Sequence, residues 1–240
     1  MLKRSQIDRM IEIAMRVFEE FGMRLPPFAF LTAEEWRRAG AEYREIRDCA
    51  LGWDVTDFGM NDFRLYGRVL FTLRNGKNNS QYPKSYAEKF ILDPEGQRAP
   101  AHFHKRKRED IINRGKGVIV IDLASSTPDG QPDTRPLEIA IDGVARTVRS
   151  GGRVSLRPGE SIHLEPGVIH SFWGEGGDGI VIDGVRYGAS GEVSSVCDDV
   201  NDNFFLNHAP RFPEIEEDAP RRHDLCQEYP SATRSQKGGK

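Results

Sequence analysis

From Tyr66 onward, turn signals cut the chain into short stretches of extended-chain character, and no other feature narrows the fold as much. Eleven candidate strands fall at 66–74, 85–92, 98–104, 117–123, 137–141, 144–149, 153–157, 161–165, 168–173, 179–185 and 191–196. Asn75-Gly76, Pro94-Glu95-Gly96, Asp142-Gly143, Gly151-Gly152 and Pro158-Gly159 separate them. Asp142-Gly143, between Ile139-Ala140-Ile141 and Val144, predicts a tight hairpin. Many short strands at close spacing close into a barrel or stack as a double-sheet jelly roll.

The first part of the chain has a helical texture. Ile7, Met10, Ile11, Ala14, Val17, Phe18 and Phe21 lie on one stripe of a helix over 5–22, with Ser5 as its cap and Gly22 as its stop. Pro26-Pro27 enforces an extended link, and Thr32-Ala33-Glu34-Glu35 is a capping box opening a second helix to about Asp48. Gly52 to Asp62 reads as a loop, and 124–136 as a loop inside the β region. The predicted organisation is an N-terminal helical extension over 1–62, a barrel over 63–203, a C-terminal wrap-around extension over 204–230 and a disordered tail over 231–240.

The balance of 30% charged residues and a formal net charge of −3 offers nucleic acid no basic face. No apolar stretch approaches a membrane span, and Asp8, Arg9 and Glu12 interrupt any N-terminal signal pattern. The three cysteines, Cys49, Cys197 and Cys226, are odd in number and widely spaced. They suggest neither a disulfide framework nor a metal knuckle, so a reducing cytoplasm is expected.

Chemistry concentrates in His102-Phe103-His104-Lys105-Arg106-Lys107-Arg108-Glu109 and in Pro166-Gly167-Val168-Ile169-His170. In an extended chain, residues two apart share a face, so His102 and His104 point inward together while Phe103 points out. A hairpin return into 117–121 is expected to carry Glu109 back over them. His102, His104, Glu109 and His170 are therefore the expected ligands of one divalent metal, with positions left open for substrate. Such mixed ligation accepts Mn, Fe, Co, Ni or Zn.

With Gly96 before the histidine pair and Gly167-Val168-Ile169-His170 in a second β segment, this set resembles the two-part signature of the cupin superfamily. The resemblance implies a mainly β fold, the cupin double-stranded β-helix or jelly-roll barrel. A closer likeness runs through most of residues 5–229. Leu25-Pro26-Pro27-Phe28-Ala29-Phe30, Leu51-Gly52-Trp53-Asp54-Val55-Thr56-Asp57-Phe58-Gly59, Leu70-Phe71-Thr72-Leu73-Arg74-Asn75-Gly76, Tyr86-Ala87-Glu88-Lys89 and Glu109-Asp110-Ile111-Ile112-Asn113-Arg114-Gly115 resemble bacterial D-lyxose isomerases. So do Gly191-Glu192-Val193-Ser194-Ser195-Val196, Asp198-Asp199, Asn201-Asp202-Asn203 and Arg211-Phe212-Pro213-Glu214-Ile215-Glu216-Glu217-Asp218. That resemblance implies a dimeric, manganese-dependent enzyme interconverting D-lyxose and D-xylulose, and D-mannose and D-fructose.

Such a reaction moves a hydrogen between C2 and C1 of a sugar. Proton transfer through a cis-enediolate needs a base, and an electrophile for the charge on O1 and O2; a chelating metal is a suitable Lewis acid. Glu192 is the first candidate base. Its burial is expected to lift it toward neutral pH. Lys107 is the second candidate, a lysine whose pKa a nearby metal would lower. Lys89, alternating with Phe90 and Ile91, is an inward lysine assigned to a sugar oxygen. Asp202 and Arg211 are further substrate-binding candidates, Trp173 the stacking aromatic and Phe28 a second apolar wall. Phe30 and Phe172 read as core, His163 as structural, and His208 and His223 carry no assignment. An iron oxygenase, a sugar-binding cupin without activity, and a phosphosugar isomerase using Arg106, Arg108 and Arg114 stay open.

Overall fold

The computed structural model describes residues 1–207 and 209–231. His208 and residues 232–240, which make up nearly all of the expected disordered tail, lie outside them. Two antiparallel sheets face each other as the halves of a cupin barrel. The larger runs Val144–Val148, Leu137–Ile141, Ser161–Leu164, Glu109–Asn113, Val185–Ser195, Tyr86–Pro94, Arg68–Arg74 and Gly52–Thr56, with Ile180–Ile182 paired to Val185–Ser195. The smaller runs Gly152–Leu156, Val118–Ser126, Ile169–Glu175, His102–Phe103 and Phe204–Phe205, with Pro132–Asp133 paired to Val118–Ser126.

Period-two alternation explains how the larger sheet is buried on both faces. Leu70, Ile91 and Ile111 point into the barrel with Ile119, Ile121, Leu156, Ile162 and Phe172. Val69, Phe71 and Leu92 point the other way and meet the helix Arg4–Glu20 through Ile7, Ile11, Ala14, Val17 and Phe18. Phe18 stacks on Trp53 at 6.3 Å and meets Phe90 edge-on at 5.7 Å.

Several local expectations hold. Asp142 and Gly143 take φ of 49° and 78°, the paired left-handed turn of a tight hairpin, with Ile141 opposite Val144. The Thr32–Glu35 capping box is present. Others are corrected. Ser5 does not cap the first helix; its N–H and hydroxyl donate to Asp218 at 2.9 and 2.7 Å. The second helix breaks into Ala33–Arg38, a 3-10 turn Ala41–Tyr43 and Arg44–Asp48, because Ala39 and Gly40 are extended. Arg47 donates to the carbonyls of Ala39 and Gly40 that the break frees. Gly52–Thr56, read as the start of a loop, is the last strand of the larger sheet. Residues 179–196 form Ile180–Ile182 and the single strand Val185–Ser195 rather than two equal strands.

The C-terminal extension wraps back along the chain. Phe204–Phe205 pairs with His102–Phe103, and Ile215–Glu216 pairs with Leu2–Lys3. Arg4, fully buried, donates to Glu217 at 2.9 and 2.8 Å and to Glu228 at 3.1 and 2.6 Å. Cys49, Cys197 and Cys226 are free, and among the described residues no helix is long and apolar enough to cross a membrane. Phe18→Ala should cost about 3–5 kcal/mol of stability, read from urea unfolding; a loss under about 1 kcal/mol would mean that this ring does not dock the helix.

Candidate active site

A pocket opens into the barrel interior, lined by both sheets. Short-strand pairing sets its histidines: His102 lies directly opposite His170, with ring centroids 4.4 Å apart. His104 follows two residues on, 5.2 and 5.6 Å from those rings. Each Nδ1 faces a main-chain carbonyl: Pro100 at 2.9 Å from His102, Asp202 at 2.6 Å from His104 and Val168 at 3.0 Å from His170. A carbonyl only accepts, so Nδ1 carries the hydrogen and Nε2 is left as the free lone pair, the usual second-sphere arrangement of a metal-binding imidazole. Gly167, at φ of 84°, donates its N–H to the His104 carbonyl at 2.7 Å and so ties the two motif halves together.

Glu109 reaches the histidines by another route than a hairpin return. It opens the strand Glu109–Asn113 of the larger sheet, paired with Val185–Ser195 and Ser161–Leu164. Glu109, Ile111 and Asn113 are buried in alternation, so the carboxylate crosses the barrel toward the histidines of the smaller sheet. Its Oε1 lies 2.9 Å from His170 Nε2 and 3.6 Å from His104 Nε2.

These four residues fit a divalent ion. Buried His104 Nε2 and Glu109 Oε1 have no hydrogen-bond partner, a costly state unless something else satisfies them. The ligand atoms of the three histidines lie within 4.8 Å of one another. Burial, then the neighbouring imidazoles, hold His102 well below the usual histidine range. Burial and then Lys107 push His104 down to about 4. Both imidazoles are thus neutral at neutral pH, the form that binds metal.

A second cluster adjoins the first. Lys89 and Glu192 are direct cross-strand partners, both buried and both facing the pocket. Lys107 Nζ sits 2.6 Å from Glu109 Oε2 and 2.9 Å from Glu192 Oε1. Lys89 Nζ lies 3.7 Å from Glu192 and 3.6 Å from Asp199, and donates to Cys197 Sγ at 2.9 Å. Charged partners oppose burial here, and for Glu192 they reverse the expected upward shift. Burial alone would raise Glu192, but Lys107 and Lys89 outweigh it and hold the carboxyl below its usual range. Burial alone would lower Lys107, but Glu109 and Glu192 hold it above the usual lysine range. Glu192 is an anion and Lys107 an ammonium.

Arg211 lines the pocket, paired with Asp54 and 3.9 Å from Asp199. Three other candidates do not line it. Trp173 is one residue from His170, so its ring lies on the opposite sheet face, where Arg98 and Arg153 cover it at 3.8 and 4.9 Å. Phe172, two residues from His170 and read as core, lines the pocket instead. Phe28 packs on Phe71 at 5.2 Å, outside the barrel. Asp202 lies behind the turn after His104. Phe58, Arg68, Asp199, Asn203 and Phe205, given no role from sequence, also line the pocket. Arg68 shares the inward face of Leu70, and an arginine there is the same signal that marked Lys89. His163 sits away from the pocket against Asp110 at 2.7 Å and Glu165 at 3.2 Å. Arg106, Arg108 and Arg114 are exposed and line none of it.

A double-sheet barrel that gathers three imidazoles and a carboxylate in its interior has a cupin-like fold with side chains suited to a metal ion. Solved structures agree on the fold: L-ribose isomerase from Cellulomonas parahominis has a TM-score of 0.54 at 17% identity, covering 87% of this chain and 94% of that one. L-ribose isomerase from Acinetobacter sp. DL28 in complex with L-ribose has 0.53 at 16%, covering 86% and 93%. The D-lyxose isomerase family profile matches residues 2–229. The chain is 45% identical over 231 residues to the D-lyxose/D-mannose isomerase of Serratia proteamaculans, covering 95% of this chain and 98% of that one. The D-lyxose/D-mannose isomerase of Escherichia coli O157:H7 is 43% identical over 230 residues, with the same coverage. This chain belongs to the D-lyxose isomerase family, and it is an aldose–ketose isomerase.

His102→Ala, His104→Ala, Glu109→Ala and His170→Ala should each lower metal affinity by roughly tenfold or more, measured by elemental analysis after dialysis, while His163→Ala leaves metal content unchanged. Full occupancy in any of the first four would remove that residue from the ligand set.

Proposed function

We propose that this enzyme interconverts D-lyxose with D-xylulose and D-mannose with D-fructose, using His102, His104, Glu109 and His170 to hold a divalent metal, Mn²⁺ in the first place and Co²⁺, Zn²⁺ or Fe²⁺ as substitutes. The pairing of anionic Glu192 with the Lys107 ammonium at 2.9 Å, beside the imidazole cluster, carries the reading. The names of the relatives support the choice of sugars. Bound there, the metal would supply Lewis acidity toward the sugar's O1 and O2.

The protein's own groups then divide the work. A Glu192 carboxylate oxygen takes the proton from C2 and returns it to C1. One carboxylate suffices if the proton stays on the same face of the sugar. Lys107, held as an ammonium, donates a proton to O1 as negative charge grows there and takes one back from the O2 hydroxyl, so that C2 becomes the carbonyl and the lysine returns to an ammonium. Lys89 holds Glu192 from its other side and faces the sugar hydroxyls with Arg211. Phe58, Phe172 and Phe205 supply apolar wall and exclude water. A phosphosugar finds no free cation on this lining: Arg68 pairs with Asp93 and Arg211 with Asp54. Family membership supports a homodimer, and three free thiols support a cytoplasmic enzyme.

Protein stripped with EDTA should form no ketose from D-lyxose, and Mn²⁺ or Co²⁺ should restore it; no conversion of D-lyxose or D-mannose with any of Mn²⁺, Co²⁺, Zn²⁺ or Mg²⁺ would overturn the assignment. Glu192→Gln should lose about 10²–10⁴-fold in kcat while still binding sugar. Undiminished turnover in that variant would take Glu192 out of the mechanism.

A further inference from the structure

Asp202 carries more contacts to the site than a residue outside the pocket would need. Its Oδ1 accepts the N–H of Lys105 at 3.0 Å and of Arg106 at 3.2 Å. Its Oδ2 accepts the N–H of Arg106 at 3.3 Å and of Lys107 at 2.9 Å. Its main-chain carbonyl accepts from His104 Nδ1 at 2.6 Å. The residue is only 3% exposed, and its own N–H is anchored on the Asp198 carbonyl at 2.9 Å.

Resting on the roles given above to Lys107 and the metal ligands, we propose that Asp202 is a positioning residue with two separable functions. Its carboxylate fixes the turn that presents Lys107, and its carbonyl independently orients His104. Residues 105–107 lie between two elements, with no ladder partner of their own. Three successive main-chain N–H groups there converge on one carboxylate, which stands in for the missing ladder. Lys107 needs that anchor more than most residues. A long flexible side chain reaches Glu109 and Glu192 in one geometry only if its backbone is held. No other side chain among the described residues accepts from the N–H groups of Lys105, Arg106 or Lys107.

Asp202→Asn separates the two functions. It keeps the main-chain carbonyl and the shape but replaces one oxygen with an amide nitrogen that cannot accept, so at least one turn N–H meets a donor. The expected result is a fall in kcat of roughly ten- to a hundredfold. Mn²⁺ affinity of the metal-free protein, measured by calorimetry, should stay within about threefold of the parent, as should KM for D-lyxose. In a Lys107→Met background, Asp202→Asn should cost little more, because the residue it positions is gone.

Undiminished kcat in Asp202→Asn would overturn the proposal. So would losses that multiply in the double variant, or metal affinity that falls in step with kcat. Full turnover in Lys107→Met alone would overturn it as well. If Asp202→Asn does not fold, Asp202→Ser runs the same cycle, since its hydroxyl still accepts one N–H. A parent protein that makes no ketose with any metal defeats the isomerase assignment instead, a result distinct from an active parent whose cycle is additive.

Discussion

The centre of this barrel depends on the mutual neutralisation of charges taken out of water. Arg68, Lys89, Lys107 and Arg211 line the pocket or its floor, against the carboxylates of Asp54, Asp93, Glu109, Glu192 and Asp199. A lone charge in such surroundings costs several kcal/mol or changes its protonation state. Asp93 shows the tension: burial pushes it up to about 6, although Arg68 lies 3.2 Å away. Around Glu192 and Lys107 the partners win, and both stay charged. The five carboxylates outnumber the four cations by one, and burial holds His102 and His104 neutral. An excess of buried negative charge of this kind suits an additional cation.

That balance explains which parts of the site could be read from the chain. Period-two parity placed His102 with His104, and it marked Lys89 as inward because a charge in an apolar strand is too costly to leave unexplained. The same parity, applied one residue further, would have moved the stacking role from Trp173 to Phe172. Proximity to a ligand in sequence does not mean the same face of a strand. That Glu109 would join the histidines was legible, but its route was not. The reach across the barrel depends on pairing with Val185–Ser195, a contact distant in sequence. Phe58, Asp199, Asn203 and Phe205 come from segments without periodicity, so only the folded chain brings them to the mouth. In the fold, turn chemistry such as Asp142-Gly143 was local and could be read. Gly52–Thr56 took its strand from neighbours, through Arg68–Arg74 and the Cys226 N–H that donates to the Trp53 carbonyl at 2.7 Å.

The parts outside the barrel act on the same interior. The N-terminal helix covers the outer face of the strands that carry Arg68, Lys89 and Glu192, so the apolar face behind them stays dry. The C-terminal extension supplies Arg211, whose charge is balanced by Asp54 on the last strand of the larger sheet. Phe58 holds a φ of 53° there and meets Phe205 edge-on at 5.5 Å. A left-handed conformation at a bulky residue persists only where its surroundings enforce it, and it turns that ring over the pocket.

Rigidity is divided unevenly among the groups proposed to react, and the division suits the proposed chemistry. Glu192 sits within Val185–Ser195, laddered on both sides by Tyr86–Pro94 and Glu109–Asn113, so its carboxylate is as fixed as any group in the molecule. A base that must meet first C2 and then C1 gains from such fixity, because small misplacements cost large factors in rate. Lys107 comes from a turn and has no ladder, so its precision must be supplied by side-chain bonds to that turn. Phe58, Phe205 and Arg211, which also line the pocket, come from a loop and the C-terminal extension. On the roles proposed above, a strand holds the base Glu192, while a turn supplies Lys107 and less regular segments supply much of the remaining wall. A barrel arranged this way can change the sugars it accepts at its mouth without disturbing the proton transfer at its centre.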